Sequence, residues 1–143
     1  MNNKALIAGV VLLVAVAGVL QWRHTGGVSG ADALKRAADK ANLTLPRPYV
    51  NGLVFEHAHV VGDRLVTDVY IPDIRLAQLD QKKLPMIHRQ EQGDLIESAC
   101  ADPEQRALLR DKAQVARRFL DQEHKLIFEI AASEADCKPK VVE

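Results

Sequence analysis

Residues 53–71 read LVFEHAHVVGDRLVTDVYI. Two runs rich in β-branched and aromatic residues, Leu53 to Val61 and Arg64 to Ile71, flank the pair Gly62-Asp63. A two-residue Gly-x link between such runs predicts a β-hairpin. The tight turn needs a positive φ at its first position, and glycine reaches it without strain. With Val61 opposite Arg64, counting back places Phe55 opposite Tyr70 and His57 opposite Asp68. Side chains alternate across a strand. One face then carries Val54, Ala58, Val60, Leu65, Val69 and Ile71, the expected core face. The other carries Phe55, His57, His59, Val66, Asp68 and Tyr70.

The second face holds the one constellation with chemical potential. His57 and His59 with Asp68 opposite make a weak candidate for zinc or another divalent ion. A structural site wants four ligands, and a catalytic site wants three plus water. The plainer expectation is a His57–Asp68 ion pair on a partly exposed face, bounded by Phe55 and Tyr70. These two rings are the candidate partner-binding residues, for a partner helix or an added strand. A groove between the sheet and the helices is the other candidate surface. No Gly-rich phosphate loop, nucleophile elbow, HExxH or C-x-x-C occurs, and these are the local patterns that position phosphates, nucleophiles, zinc and redox thiols. No catalytic residue, cofactor or small-molecule substrate is therefore expected.

Outward from the hairpin, Asp32 to Asn42 is a predicted helix with Leu34, Ala38 and Ala41 on one stripe. Leu45-Pro46-Arg47-Pro48 ends it and starts an extended stretch, and Pro72 closes the second strand. Helical signals return over Leu84 to Cys100, where Gly93-Asp94 is expected to split the segment in two, with Asp94 and Glu97 as a capping box. Asp102 as N-cap before Pro103 starts another helix. Residues 113–133 read two ways. Val115, Arg117 and Phe119, then Phe128 and Ile130, alternate as a hairpin would. Yet no Gly or Pro lies between Pro103 and Pro139, and propensity favours a long helix.

Lys4 precedes an uncharged run from Ala5 to Gln21, a pattern read as an export signal. Ala5 to Trp22 would form a helix of about 27 Å, just enough for a hydrocarbon core of roughly 30 Å, with Trp22 at the interface. The expectation is a membrane helix over residues 5–22, N-terminus inside. Cleavage after Ala15-Val16-Ala17, giving a soluble periplasmic protein, is the alternative. No cysteine follows the run, so a lipoprotein is not expected. Cys100 and Cys137 are the two cysteines, and in an exported domain they are expected to pair. Net charge is zero and aromatics are 4%, which is not the composition of a nucleic-acid binder. The reading divides the chain into a targeting helix (1–24), a flexible linker (25–31), a periplasmic α+β domain (32–138) and a tail (139–143). That domain is expected to be a small antiparallel sheet of about four strands, packed with helices and closed by one disulfide.

Cys100-Ala101-Asp102-Pro103, Arg106-Ala107-Leu108-Leu109, the block Asp121 to Ile130 and the ending Glu134-Ala135-Asp136-Cys137 together resemble a pattern in small exported proteins of Gram-negative bacteria. The best-known of these are the β-type pilotins of type II secretion, α/β domains that bind a short secretin segment. The resemblance covers roughly residues 42–137. It implies that 113–133 is a hairpin and that a disulfide ties the ending back to the helix. Where the pattern has a glycine before the third strand, this chain has Lys112-Ala113. The function this implies is a non-catalytic, membrane-anchored periplasmic accessory protein of a secretion- or pilus-type system, acting on an envelope protein. An immunity or exclusion protein against an incoming toxin, phage or plasmid is the alternative. A weak metal-binding protein is a third reading.

Overall fold

The structure is a computed structural model that describes residues 30–139. The expected membrane helix at 5–22 lies outside the described residues. Among those described, no helix is long and apolar enough to cross a membrane.

The chain runs α1 (Gly30–Asn42), β1 (Arg47–Pro48), β2 (Val54–Val61), β3 (Arg64–Tyr70), α2 (Leu84–Ala101), α3 (Pro103–Arg110), β4 (Gln114–Leu120) and β5 (Leu126–Ala132). The strands form one sheet in the order β1-β2-β3-β4-β5. The fold is α+β as expected, but the sheet is mixed rather than antiparallel, with five strands rather than about four. The central β3–β4 pair is parallel. Its cause is the connection: β4 is reached through a crossover containing α2 and α3, which can return the chain to run parallel, whereas a short hairpin cannot. The extra strand, β1, is two residues long and pairs Arg47 with Phe55.

The helices lie on one side of the sheet. Leu34 and Ala38 of α1 meet Ala58, Leu65, Leu108 and Ala113. Leu95 and Ala99 of α2 meet Val69, Val115, Phe119, Ile130 and Ala132. The small residues of α1 let it sit close over β2. α2 is continuous through Gly93, contrary to the expected break. One interior glycine costs about 1 kcal/mol, less than burial of Leu95 and Ala99 on the core side of the same helix returns. Asp102 caps α3 by accepting from the backbone N–H groups of Glu104 (2.8 Å) and Gln105 (3.1 Å). Lys112 follows with φ 66°. It occupies the left-handed position that ends a helix, where glycine is the usual residue.

Residues 113–133 form a hairpin. Val115, Phe119, Ile130 and Ala132 bury with strand periodicity, and this tertiary burial overrides helix propensity. The loop needs no glycine because Asp121 organises it. Asp121 is 1% exposed and accepts from the backbone N–H groups of Leu76 (2.9 Å), Glu123 (2.9 Å) and Lys125 (2.8 Å). Burial alone would raise its pKa, but these three bonds outweigh burial and hold it below the ordinary value. Cys100 at the end of α2 is bonded to Cys137 in the short helical turn after β5.

Candidate functional site

The hairpin at 54–70 has the predicted turn, with Gly62 at φ 59° and Val61 opposite Arg64. His57 pairs with Asp68, also as predicted. Beyond that the register slips: a bulge between Phe55 and His57 pairs Phe55 with Val69 and Val54 with Tyr70. One inserted residue moves every side chain before it to the other face. Phe55 therefore does not share a face with Tyr70. It packs against the helix-side core, and Tyr70 stays on the face turned away.

On that far face His57 and His59 stack with centroids 5.8 Å apart. The expected His57–Asp68 ion pair is instead His59 Nδ1 to Asp68 Oδ2, at 3.8 Å. Arg64 and Arg118 both pair with Glu129. These groups surround Val66 and Ala116, which are buried with no helix of the described residues over them. Asp68 has its pKa raised: burial disfavours the carboxylate, His59 and Arg118 oppose this, and Glu56 adds to it. Tyr70 stacks on His124 at 4.5 Å and donates to the carbonyl of Gln122 at 3.3 Å. His124, which nothing in the sequence singles out, also contacts Glu56 at 3.0 Å. The weak metal candidates His57, His59 and Asp68 are thus near one another, but no group of three His, Cys, Asp or Glu among the described residues is placed to hold a metal ion.

The helix side has a cleft of about 180 Å³ between the end of α1 and the α2–α3 pair. Thr44, Leu45, Phe55, Leu95, Gln105 and Arg117 are among its lining residues. An aromatic and cationic cluster forms one wall. Tyr49 and Phe55 lie 4.4 Å apart. The guanidinium of Arg117 sits over both rings, at 5.6 and 5.3 Å, and that of Arg47 over Phe55 at 5.2 Å. Tyr49 donates to Glu91 Oε2 at 3.0 Å. Burial raises the pKa of that hydroxyl, Arg117 opposes, and the bond to Glu91 raises it further, so it stays a neutral donor. Arg117 donates to Tyr49 Oη (3.4 Å) and to Ser98 Oγ (3.2 Å). This arrangement offers shape, aromatic surface and positive charge.

Of the residues expected to bind a partner, Phe55 belongs to this cleft and Tyr70 does not. Arg47, Tyr49, Glu91 and Arg117 were not anticipated. Arg117 had a signal: it stands between Val115 and Phe119 at a position where strand alternation calls for an apolar side chain.

No protein-family model matches the sequence, and no curated protein sequence does either. Solved structures do match. A Pseudomonas aeruginosa protein described as secreted superposes with TM-score 0.63 at 16% identity, over 78% of this chain and 100% of its own. The pilotin EpsS of the Vibrio vulnificus type 2 secretion system gives 0.52 at 15%, over 78% and 96%. The type II secretion pilotin AspS of Vibrio cholerae gives 0.50 at 15%, over 73% and 88%. The chain shares the fold of these pilotins. At such identities the likeness is one of fold, and it agrees with the resemblance read from residues 42–137.

Proposed function

We propose that this chain is a non-catalytic accessory protein of a Gram-negative secretion-type envelope system, and that it holds a segment of a protein partner in the helix-side cleft. The observation that carries the reading is the cleft wall of Phe55, Arg47 and Arg117, with the Tyr49 ring against Phe55, on a fold shared with two proteins named as pilotins. Partially exposed aromatics and arginines are the side chains that most often anchor protein interfaces. A cleft that size admits a few side chains of a docked helix or strand.

The remaining features fit this reading. Residues 5–22 tether the domain to the inner membrane, with the domain in the periplasm; removal of that segment, leaving a soluble periplasmic protein, is the alternative. The Cys100–Cys137 bond suits an oxidising compartment. The working domain begins with α1 at Gly30 rather than at Asp32 and extends to residue 138, with the residues just before it as its linker.

The test is chemical cross-linking of the full-length protein in membranes, followed by capture under denaturing conditions. Phe55→Ala is expected to weaken capture of the partner at least fivefold, and Tyr70→Ala to leave it unchanged. Loss with Tyr70→Ala and none with Phe55→Ala would overturn the choice of surface.

A further inference from the structure

The strand pairs that floor the helix-side cleft alternate in an unusual way. Leu65 pairs with Val115 and Val69 with Phe119, and these four are buried in the core. Between them Thr67 pairs with Arg117. Arg117 also faces Ile130 on β5. A polar rung thus crosses the centre of the apolar face, at the base of the cleft.

A guanidinium there loses water, a cost normally met by a carboxylate partner. Arg117 has no such partner. Its two bonds go to neutral oxygens, those of Tyr49 and Ser98, and no carboxylate among the described residues lies within salt-bridge distance of it. The nearest acid along the bonded chain is Glu91, which stands behind Tyr49 and accepts its hydroxyl. Arg47, exposed on the rim, likewise has no acidic partner among the described residues. Its contact is with the Phe55 ring, which Arg117 approaches as well. The other half-buried arginines differ: Arg64 and Arg118 pair with Glu129, and Arg106 with Glu134. Local rules are broken most often where a site is built for something else.

We infer that Arg47 and Arg117 form a carboxylate-binding subsite, and that the partner segment inserts an acidic side chain next to an apolar one. The carboxylate is drawn by the positive charge of two guanidiniums that both approach the Phe55 ring, at 5.2 and 5.3 Å, and a charge-assisted bond to either is stronger than a neutral one. The apolar neighbour lies against Leu45, Phe55 and Leu95. This rests on the cleft being the partner surface, and it adds the chemistry of what enters.

The test needs no knowledge of the partner. Full-length protein labelled with 15N-arginine is titrated with N-acetyl-leucine and, separately, with N-acetyl-leucinamide, following the arginine Nε–H signals by NMR. N-acetyl-leucine is expected to shift the Arg47 and Arg117 signals saturably, and the uncharged amide to bind at least tenfold more weakly. Arg117→Gln and Arg47→Gln should each weaken the acid at least threefold. Arg47 is on the rim, so its variant stays informative if Arg117→Gln disturbs folding. Equal binding of acid and amide, shifts confined to other arginines such as Arg36 or Arg110, or inorganic phosphate binding as tightly as N-acetyl-leucine would each overturn the assignment. If cross-linking locates the partner in the cleft while the acid does not bind, the subsite fails and the partner surface stands.

Discussion

The two faces of this sheet are made by alternate residues of the same strands, yet they solve burial differently. The helix side is closed by apolar packing: Val69, Leu109 and Ala132 are wholly buried and Phe119 is 2% exposed. No helix among the described residues covers the far side. Val66 and Ala116 are buried there amid long charged side chains, with Arg64, Arg118 and Glu129 linked across strands. Long charged stems cover apolar surface while keeping their heads near water. The lesson is one of rigidity. A surface held by packed helices can keep a preformed cleft with a fixed arginine, whereas a surface of paired charges adapts. The candidate partner site belongs on the first.

The contrast is sharpest in core truncations. Phe119→Ala on the helix side should cost about 3–5 kcal/mol, read by denaturant unfolding. Val66→Ala on the far side should cost only about 1–2 kcal/mol, because mobile charged neighbours close over the gap. A cost above about 3 kcal/mol for Val66→Ala would mean that the far face is packed as tightly as the helix face.

Next comes the disulfide, which belongs wholly to the helix side. It joins residues 37 apart, and closing such a loop contributes roughly 4 kcal/mol in the chain-entropy model. The Cys100→Ser, Cys137→Ser double variant should lose stability of that order under oxidising conditions, and wild type should lose the same on reduction. A loss confined to one of the two treatments would break the account.

The smallest effect falls on the far face. The pKa of Asp68 is raised in the fold, from an ordinary value of 3.8. A raised acid favours the fold at low pH, where both states hold the proton, and loses that support as pH rises through the folded value. Asn holds no such charge. Asp68→Asn should therefore match or slightly exceed wild-type stability at pH 7, and the difference should close below pH 3.8. Marked destabilisation at pH 7 would show that the His59 and Arg118 attractions dominate after all.

Much of this was legible in residue order. Gly62-Asp63 between two β-prone runs, Asp102-Pro103 and the cysteine pair each act locally or through a single bond, and each fell where expected. The bulge before His57 was not legible. It accompanies packing of Phe55 against Tyr49 and the helix-side core, which strand alternation alone does not reveal. For the same reason the parallel β3–β4 pairing escaped the reading, since strand runs do not encode their neighbours across a crossover of two helices. The ambiguity at 113–133 was physical: its residues have helix propensity, and only burial of Phe119 and Ile130 against α2 decides for strand. The cleft was half legible. An arginine between Val115 and Phe119 is visible in the sequence, but the two rings beneath it and the absence of an acidic partner are properties of the fold.

The account turns on which face meets the partner, and site-specific photo-cross-linking in intact cells tests that most directly. A photoreactive amino acid is placed at Thr44 or Gln105 on the cleft, and at His57 on the far face, in otherwise unaltered full-length protein. The account predicts one discrete adduct from both cleft positions, abolished by Phe55→Ala, and none from His57. An adduct from His57 with none from Thr44 or Gln105 would contradict it.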